Sequence, residues 1–357
     1  MALTWPTEVE LLRELVAVPS ISGSEEAIGR FVEAAVRAWG LEVSAGADGV
    51  LVTVGGTTAG PTLALVSHLD TVPVGEGWTR PPFQPVIEGT LLYGRGSGDA
   101  KASVAAMLLA ARDLAARHAE LKGRLLVLLG YGEETRNTTM ARLAERAGPI
   151  DAAVVGEPTN LRAAVAQRGL MMAELVAHGD QRHAGYAGER GFDNAVTRLA
   201  RDLVRLEGLL DDREHPVLGT ATVTATMLEA GVSRNVTPPV ARAVLDIRST
   251  PAWNHGDLAQ ALKERLSSEV VVTSDRLVPC ETPGGSRILA AARAVRPALE
   301  TFGSPTCSDW VFVRHTDAVK CGPGTSSRSH TPDEHVDLAE VSAAREFYTT
   351  LALEYLR

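Results

Sequence analysis

The sequence predicts an α/β fold, a mixed and mostly parallel sheet flanked by helices, that carries an inserted α+β domain. Three observations predict it. Apolar strand-like runs alternate with amphipathic helical stretches through the first half of the chain; residues from roughly 170 to 278 switch to longer alternating strands; αβ alternation then returns. With 357 residues the chain exceeds the usual size of one core, so two domains are expected. The expected division is a discontinuous domain of residues 1–169 and 279–357, with 170–278 inserted into it.

The elements follow in order. Residues 7–18 form a helical pattern in which Thr7 and Glu10 have capping-box spacing. Ser24 is the expected cap of a second helix that runs to Trp39 and stops at Gly40. Strands are expected at 50–54 and 62–68, then a Gly- and Pro-rich loop, a helix over 100–118, and a strand over 124–130 that Gly123 sets off. A helix around 140–146 precedes a strand at 152–155. Strands at 170–177, 221–228 and 240–247, with helices near 193–207 and 257–266, make up the insertion. Residues 336–355 close the chain as a helix. Alternation of this kind predicts a sheet whose ligands gather beyond the carboxyl ends of its strands.

Composition narrows the class. At 45% hydrophobic and 22% charged, the chain reads as an ordinary globular protein. Its formal charge of -9 argues against nonspecific binding to nucleic acid or to anionic membranes. Cys280, Cys307 and Cys321 are widely spaced and form no CxxC pair, which suggests reduced thiols. The start, MALTWPTEVELLRELV, lacks the basic and apolar regions of a signal peptide, and no apolar run approaches the roughly 20 residues of a membrane span. A cytoplasmic location is expected.

Five polar patches follow apolar runs: His68-Leu69-Asp70, Asp99, Glu133-Glu134, Glu157 and His330. Imidazoles and carboxylates placed repeatedly where buried strands end point to a shared metal site. Two histidines with carboxylates and no thiolate favour zinc, cobalt or manganese. Taken singly, each patch has a plainer explanation. Asp99 alone reads equally as the N-cap of the following helix, and Glu157-Pro158 as a strand-ending turn. Asp70 lies two residues from His68, on the same face of an extended chain, where a carboxylate can accept the free imidazole N–H and fix its tautomer. Glu133 and Glu134 point in opposite directions if the chain there is extended, so one can be a ligand and the other can face the open position.

The chain resembles the M20 metallopeptidase family, which includes acetylornithine deacetylases, succinyl-diaminopimelate desuccinylases, aminoacylases and glutamate carboxypeptidases. The matching stretches are SHLDTVP, WTRPPFQPVIEGTLLYGRGSGDAK, GEE, VVGEPT, RHAG with NAV, RNVTPP, DIR and CGPGTSSRSHTPDEHV. They occur in family order over nearly the whole chain. The resemblance implies a zinc-exopeptidase-like catalytic domain with an inserted lid and dimerisation domain, a homodimer, and two Zn2+ ions, with Co2+ or Mn2+ as alternatives.

Carried over residue by residue, the resemblance makes His68, Asp99, Glu134, Glu157 and His330 the metal ligands, with Asp99 bridging. Glu157 would complete the partner of His68, and Glu134 and His330 would share the other ion. Glu133 would be the catalytic base, taking a proton from the attacking water and delivering it to the leaving amine. Asp70 would orient His68, and His183 would stabilise the oxyanion from a neighbouring subunit. Asn235 and Arg248 would hold substrate, Arg248 as a bidentate grip on a carboxylate, and Gly322-Pro323-Gly324 would offer backbone amides. The segment Thr135-Arg136-Asn137-Thr138-Thr139 departs from the Gly/Ser-rich family loop. Ser308 and Asp309 in PTCSDW match a late Ser-Asp motif at the pocket border.

The implied substrate is a small N-acyl amino acid. The segments GLMMAELVAHG, SPTCSDW and GPGTSSRSHTPDEHV look most like acetylornithine deacetylase-type proteins, including those acting on acyl-citrulline, which implies arginine biosynthesis. Alternatives are an amino-group-carrier lysine/ornithine hydrolase, a succinyl-diaminopimelate desuccinylase of lysine biosynthesis, a dipeptidase or carboxypeptidase, and a non-catalytic binding protein on the same fold.

Overall fold

The computed structural model describes residues 7–135, 137–188 and 191–357. Two compact units make up the chain. One takes the chain up to Val165, with Thr282–Phe302 and Ser308–Arg357; the other is Ala166–Glu281 with Gly303–Cys307. The boundaries lie a few residues outside those expected from sequence, and the short segment 303–307 joins the second unit.

The first unit is built on a sheet whose strands run in the order Glu42–Gly46, Gly49–Gly55, Lys122–Gly130, Thr58–His68, Ala152–Val155, Asp317–Lys320 and Ala163–Gln167. The four central strands, Lys122–Gly130 to Asp317–Lys320, are mutually parallel, and the flanking ones pair antiparallel. The central strands are continuous apolar runs because both faces are covered: Leu63, Leu65, Leu125, Val127, Leu129, Val154 and Val319 are all fully buried. Each such side chain contributes about 1.5–3 kcal/mol by leaving water.

Helix Ala102–Ala115 is buried along almost its whole circumference. Its alanines let it lie close to the sheet and to the closing helix Leu338–Tyr355, with which it shares the main core. Helix Glu8–Ala17 has both halves of its capping box, Thr7 and Glu10. The second helix, Glu26–Ala38, starts without a side-chain cap: Glu25 occupies the N-cap position and its carboxylate accepts the Gly23 N–H instead, so Ser24 is not the cap.

Two further departures have simple causes. Strand Glu42–Gly46 was not expected, since its exposed, half-polar edge pattern carries little periodic signal. The helix expected from residue 100 begins at Ala102, because residues 97–101 form a tight turn with Asp99 extended at φ -120 and ψ 95. The cap position therefore falls on Lys101, which excludes the N-cap explanation of Asp99.

The second unit is an antiparallel sheet in the order Thr222–Ala230, Val240–Ser249, Gly169–His178, Glu269–Leu277. Helices Ala195–Arg205 and His255–Arg265 pack on one face through Leu199, Leu258 and Leu262, against Met171, Ala173, Leu175 and Leu245. Burial alternates along the inner strands, as one covered face requires. The edge strand Thr222–Ala230 is exposed along most of its length, Met227 and Leu228 included. No helix among the described residues is long and apolar enough to cross a membrane.

Candidate metal centre

Register places the chemistry. His68 ends its strand opposite Gly130, and Val155 lies opposite Lys320, so the loops carrying Glu133-Glu134 and Glu157 leave the same edge of the parallel sheet as His68. Ligand atoms of His68, Asp99 and Glu134 lie within 4.8 Å of one another. His68 Nε2 is 3.3 Å from Asp99 Oδ1. His330 Nε2 is 2.9 Å from Glu134 Oε2 and 3.7 Å from Asp99 Oδ2. Asp99 thus stands between the two imidazoles, one oxygen toward each. His330 adopts φ 65, a left-handed conformation that costs a non-glycine residue about 1–2 kcal/mol and turns its ring toward Glu134.

Glu157 follows strand Ala152–Val155, and its Oε1 is buried with no hydrogen-bond partner. Its approach depends on Gly322: a Cβ there would fall 2.6 Å from the Glu157 carbonyl oxygen and 3.1 Å from its nitrogen. Asp309 is buried with both carboxylate oxygens unpartnered.

Asp70 does more than orient a histidine. Its Oδ1 accepts the Glu133 N–H at 3.0 Å, and its Oδ2 accepts the Glu134 N–H at 3.1 Å and the Ser22 hydroxyl at 2.7 Å. His68 Nδ1 lies 3.1 Å from the Asp70 backbone carbonyl and 3.4 Å from Oδ1, so the tautomer is fixed chiefly by the backbone oxygen. Glu133 and Glu134 sit in a turn rather than an extended segment. Their side chains still diverge: Asn137 Nδ2 donates to Glu133 Oε1 at 3.2 Å, whereas Glu134 meets His330. Arg136, in the same loop, lies outside the described residues.

The electrostatics follow from crowding. Burial pushes the carboxyls of Glu133, Glu157 and Asp309 well above the ordinary range; His68 opposes this, while neighbouring carboxylates add to it. Glu134 is raised by burial as well, against its bond to His330. Asp99 goes the other way, because His68, Ser329 and His330 outweigh its burial. Burial alone would lower the His68 imidazole, but Asp70, Asp99 and Glu157 raise it well above its usual value. Such a cluster has more carboxylates than cations to match them. A nitrogen–oxygen donor set with an orphaned Glu157 oxygen fits borderline divalent cations, whose charge would relieve the excess.

The other expected site residues fall in different surroundings. His183 and Asn235 are neighbours in the second unit: the Ala184 N–H donates to the Asn235 carbonyl at 2.9 Å and His183 bridges Val236. The His183 Nδ1 accepts the Gly185 N–H, and the residue is exposed. Arg248 is engaged by Asp246 through Nε and Nη2 at 2.7 and 3.0 Å, a same-strand pair two residues apart. The expected backbone contacts at 322–324 are not free. The Gly324 N–H is taken by Glu340 Oε2 at 2.6 Å and the Gly322 N–H by Thr159 Oγ1 at 3.0 Å.

Sequence reasoning missed Ser22, Asn137 and Glu334. Ser22 reaches the site only through tertiary contact, Asn137 meets Glu133 within one loop, four residues on, and Glu334 in TPDEHV reads as a solvated acidic loop although it is 1% exposed.

Comparisons with known proteins identify the family. Residues 64–354 match the model of Peptidase family M20/M25/M40. A succinyl-diaminopimelate desuccinylase of Halorhodospira halophila is 30% identical over 377 residues, covering 95% of this chain and 96% of the relative. Among solved structures, aminopeptidase PepT from Bacillus cereus aligns with a TM-score of 0.81 at 20% identity, covering 98% of each chain. A dinuclear metal binding peptidase of the M20 family from Bacillus subtilis aligns at 0.76 and 17% identity, covering 98% of this chain and 97% of that one. With this match, and with His68, Asp99 and Glu134 close enough to share an ion, the chain belongs to peptidase family M20/M25/M40, metal-dependent hydrolases of amide bonds.

Proposed function

We propose that the protein removes an acyl group from the nitrogen of a small amino acid, with an N-succinyl-diaminopimelate-type compound as its substrate. The observation that carries this reading is the similarity to the Halorhodospira halophila desuccinylase, which extends over nearly the full length of both chains. It favours the desuccinylase over the acetylornithine or acylcitrulline deacylase that the sequence motifs alone suggested, and it supports a role in lysine rather than arginine biosynthesis. The compartment proposed is the cytoplasm, in keeping with the wide spacing of Cys280, Cys307 and Cys321 and the lack of a CxxC pair.

Two divalent cations, zinc first, are proposed as the cofactor. His68 and Glu157 would hold one, Glu134 and His330 the other, with Asp99 between them. When bound, such ions polarise the amide carbonyl and lower the pKa of water toward about 7. The remaining steps belong to the chain. Glu133, steadied by Asn137, takes a proton from the attacking water as the new C–O bond forms, then passes it to the nitrogen as the C–N bond breaks. Asp70 holds this base in place through its backbone N–H.

His183 and Asn235 are proposed to meet the substrate from the second unit of a partner subunit in a homodimer; the exposed edge strand Thr222–Ala230 supplies a surface for such pairing. Arg248 would exchange Asp246 for a substrate carboxylate.

Amine release should be measured on N-succinyl-LL-diaminopimelate, N-acetylornithine, N-acetylcitrulline and N-succinylcitrulline, alongside metal analysis. The succinyl-diaminopimelate arm is expected to give the highest kcat/KM. A higher value on an ornithine or citrulline derivative would overturn the substrate assignment. Full turnover by chelator-treated protein would overturn the metal-dependent mechanism.

A further inference from the structure

The Glu334 carboxylate is buried beside the metal centre without belonging to its ligand set. Its Oε2 accepts Arg95 Nη1 at 2.7 Å and the Gly96 N–H at 3.1 Å, and its Oε1 accepts the Gly98 and Asp99 N–H groups at 3.0 Å each. The Glu334 backbone carbonyl accepts the Gly94 N–H and the Ser97 hydroxyl. One residue therefore gathers a donor from every position of the segment 94–99. Gly96 at φ 81 gives that segment the curl that turns several N–H groups inward. Arg95 is as buried as its partner and stacks over the Trp78 ring at 5.1 Å, so the charge of Glu334 is matched without exposing either group.

Glu334 lies on the same segment as His330, and Asp333 beside it is tied to Thr79 and Arg80. Asp99 and His330 are far apart in sequence; strand His335–Asp337 pairs with Leu91–Tyr93, ending at His335 opposite Tyr93, and Glu334 carries that register on to residues 94–99. We infer that Glu334 is the positioning residue of the metal centre: by clamping the Asp99 N–H from the His330 segment, it sets the separation of the bridging carboxylate from both imidazoles. The inference rests on the metal centre proposed above and concerns a residue that touches no ion.

The consequence follows from the four donors. In Glu334→Gln, whichever way the amide turns, its NH2 faces either the Gly98 and Asp99 N–H pair or the Arg95 and Gly96 pair. Glu334→Asp keeps the charge but shortens the arm, so that both pairs cannot be reached together. Outer residues that orient ligands cost about 10–100-fold in metal affinity when changed.

The test strips parent, Glu334→Gln and Glu334→Asp with chelator and titrates each with Co2+. Visible absorption and calorimetry are followed, and circular dichroism of the metal-free proteins serves as the check on folding. The parent is expected to bind two equivalents. Glu334→Gln is expected to bind about 10–100-fold more weakly, with an altered cobalt spectrum, and Glu334→Asp is expected to fall between them. Folded Glu334→Gln with the parent's affinity and spectrum would overturn the inference, since a merely structural role would alter melting and leave Co2+ binding untouched. If Glu334→Gln does not fold, Glu334→Asp decides: parental affinity overturns the inference, weakened affinity supports it. A parent that binds no Co2+ would instead overturn the metal centre itself, and the inference with it.

Discussion

Replacing Asp70 by asparagine should loosen the turn that carries Glu133 and Glu134, and the structure sets the size of the effect. The two backbone N–H groups bond to different oxygens of the carboxylate, Glu133 to Oδ1 and Glu134 to Oδ2. An asparagine amide has only one carbonyl oxygen, so one N–H must face an NH2 group in either orientation. The better orientation puts NH2 at the Oδ2 position, where the Ser22 hydroxyl can rotate to accept from it. That leaves the Glu134 N–H orphaned and turns a charged bond from Glu133 into a neutral one.

A hydrogen bond to a charged group is worth about 1.5–3 kcal/mol, and an orphaned buried donor costs about 1–3 kcal/mol, so a net loss of about 2–4 kcal/mol is expected after the Ser22 contact is credited. The loss is local, and native-state amide hydrogen exchange reads it directly. Opening of the 131–135 segment in metal-free protein should become about 30- to 700-fold more frequent, at a factor of ten per 1.4 kcal/mol. Strand Lys122–Gly130 serves as the internal reference. Parental protection of Glu133 and Glu134 in Asp70→Asn would show that this carboxylate does not hold the turn.

Three further outcomes are expected. Glu133→Gln should lower kcat by about 10²–10⁴-fold on whichever N-acyl substrate is turned over, with metal content unchanged; normal turnover would remove Glu133 as the base. Gly322→Ala should displace the Glu157 backbone, because the added methyl would meet both its nitrogen and its carbonyl oxygen; the expected loss is about 1–3 kcal/mol by urea unfolding together with weaker Co2+ binding, and parental behaviour in both assays would show that the approach can relax. Asp202 supplies a pH test away from the metals. Burial would raise this carboxyl, but Ser268, Ser267 and Arg205 outweigh it and hold it below its ordinary value. The stability it adds is therefore complete above about 3.9 and is lost as pH falls through the lower folded value. Asp202→Asn should flatten that part of an acid titration of the second unit, and an unchanged acid limb would count against it.

Much of the architecture was legible in the chain because it rests on local regularities. The buried runs 63–66, 125–129 and 152–155 have no polar interruption, which is how strands covered on both faces must read. The Thr7–Glu10 box and the apolar stripe of 140–146 were likewise local. Boundaries failed where one residue chose between local partners, as at Ser24 and Glu25, or where a turn at 97–101 delayed a helix whose composition would have allowed it to start earlier.

For the site, the donor types and the strand ends that carry them are legible in the order of residues, since a parallel sheet delivers its loops to one edge whatever their content. The partners of those donors depend on the folded chain. The difference between a cap and a ligand at Asp99 is a backbone angle. The wider duty of Asp70 depends on bonds from Glu133 and Glu134 across more than sixty positions. Glu334 became visible as a clamp only when segments 94–99 and 330–335 were folded together. Hydrogen bonds act over about 3 Å in space and are blind to separation along the chain. Residue type and strand period are therefore readable in order, while the partners that give each carboxylate its task are settled when distant segments meet.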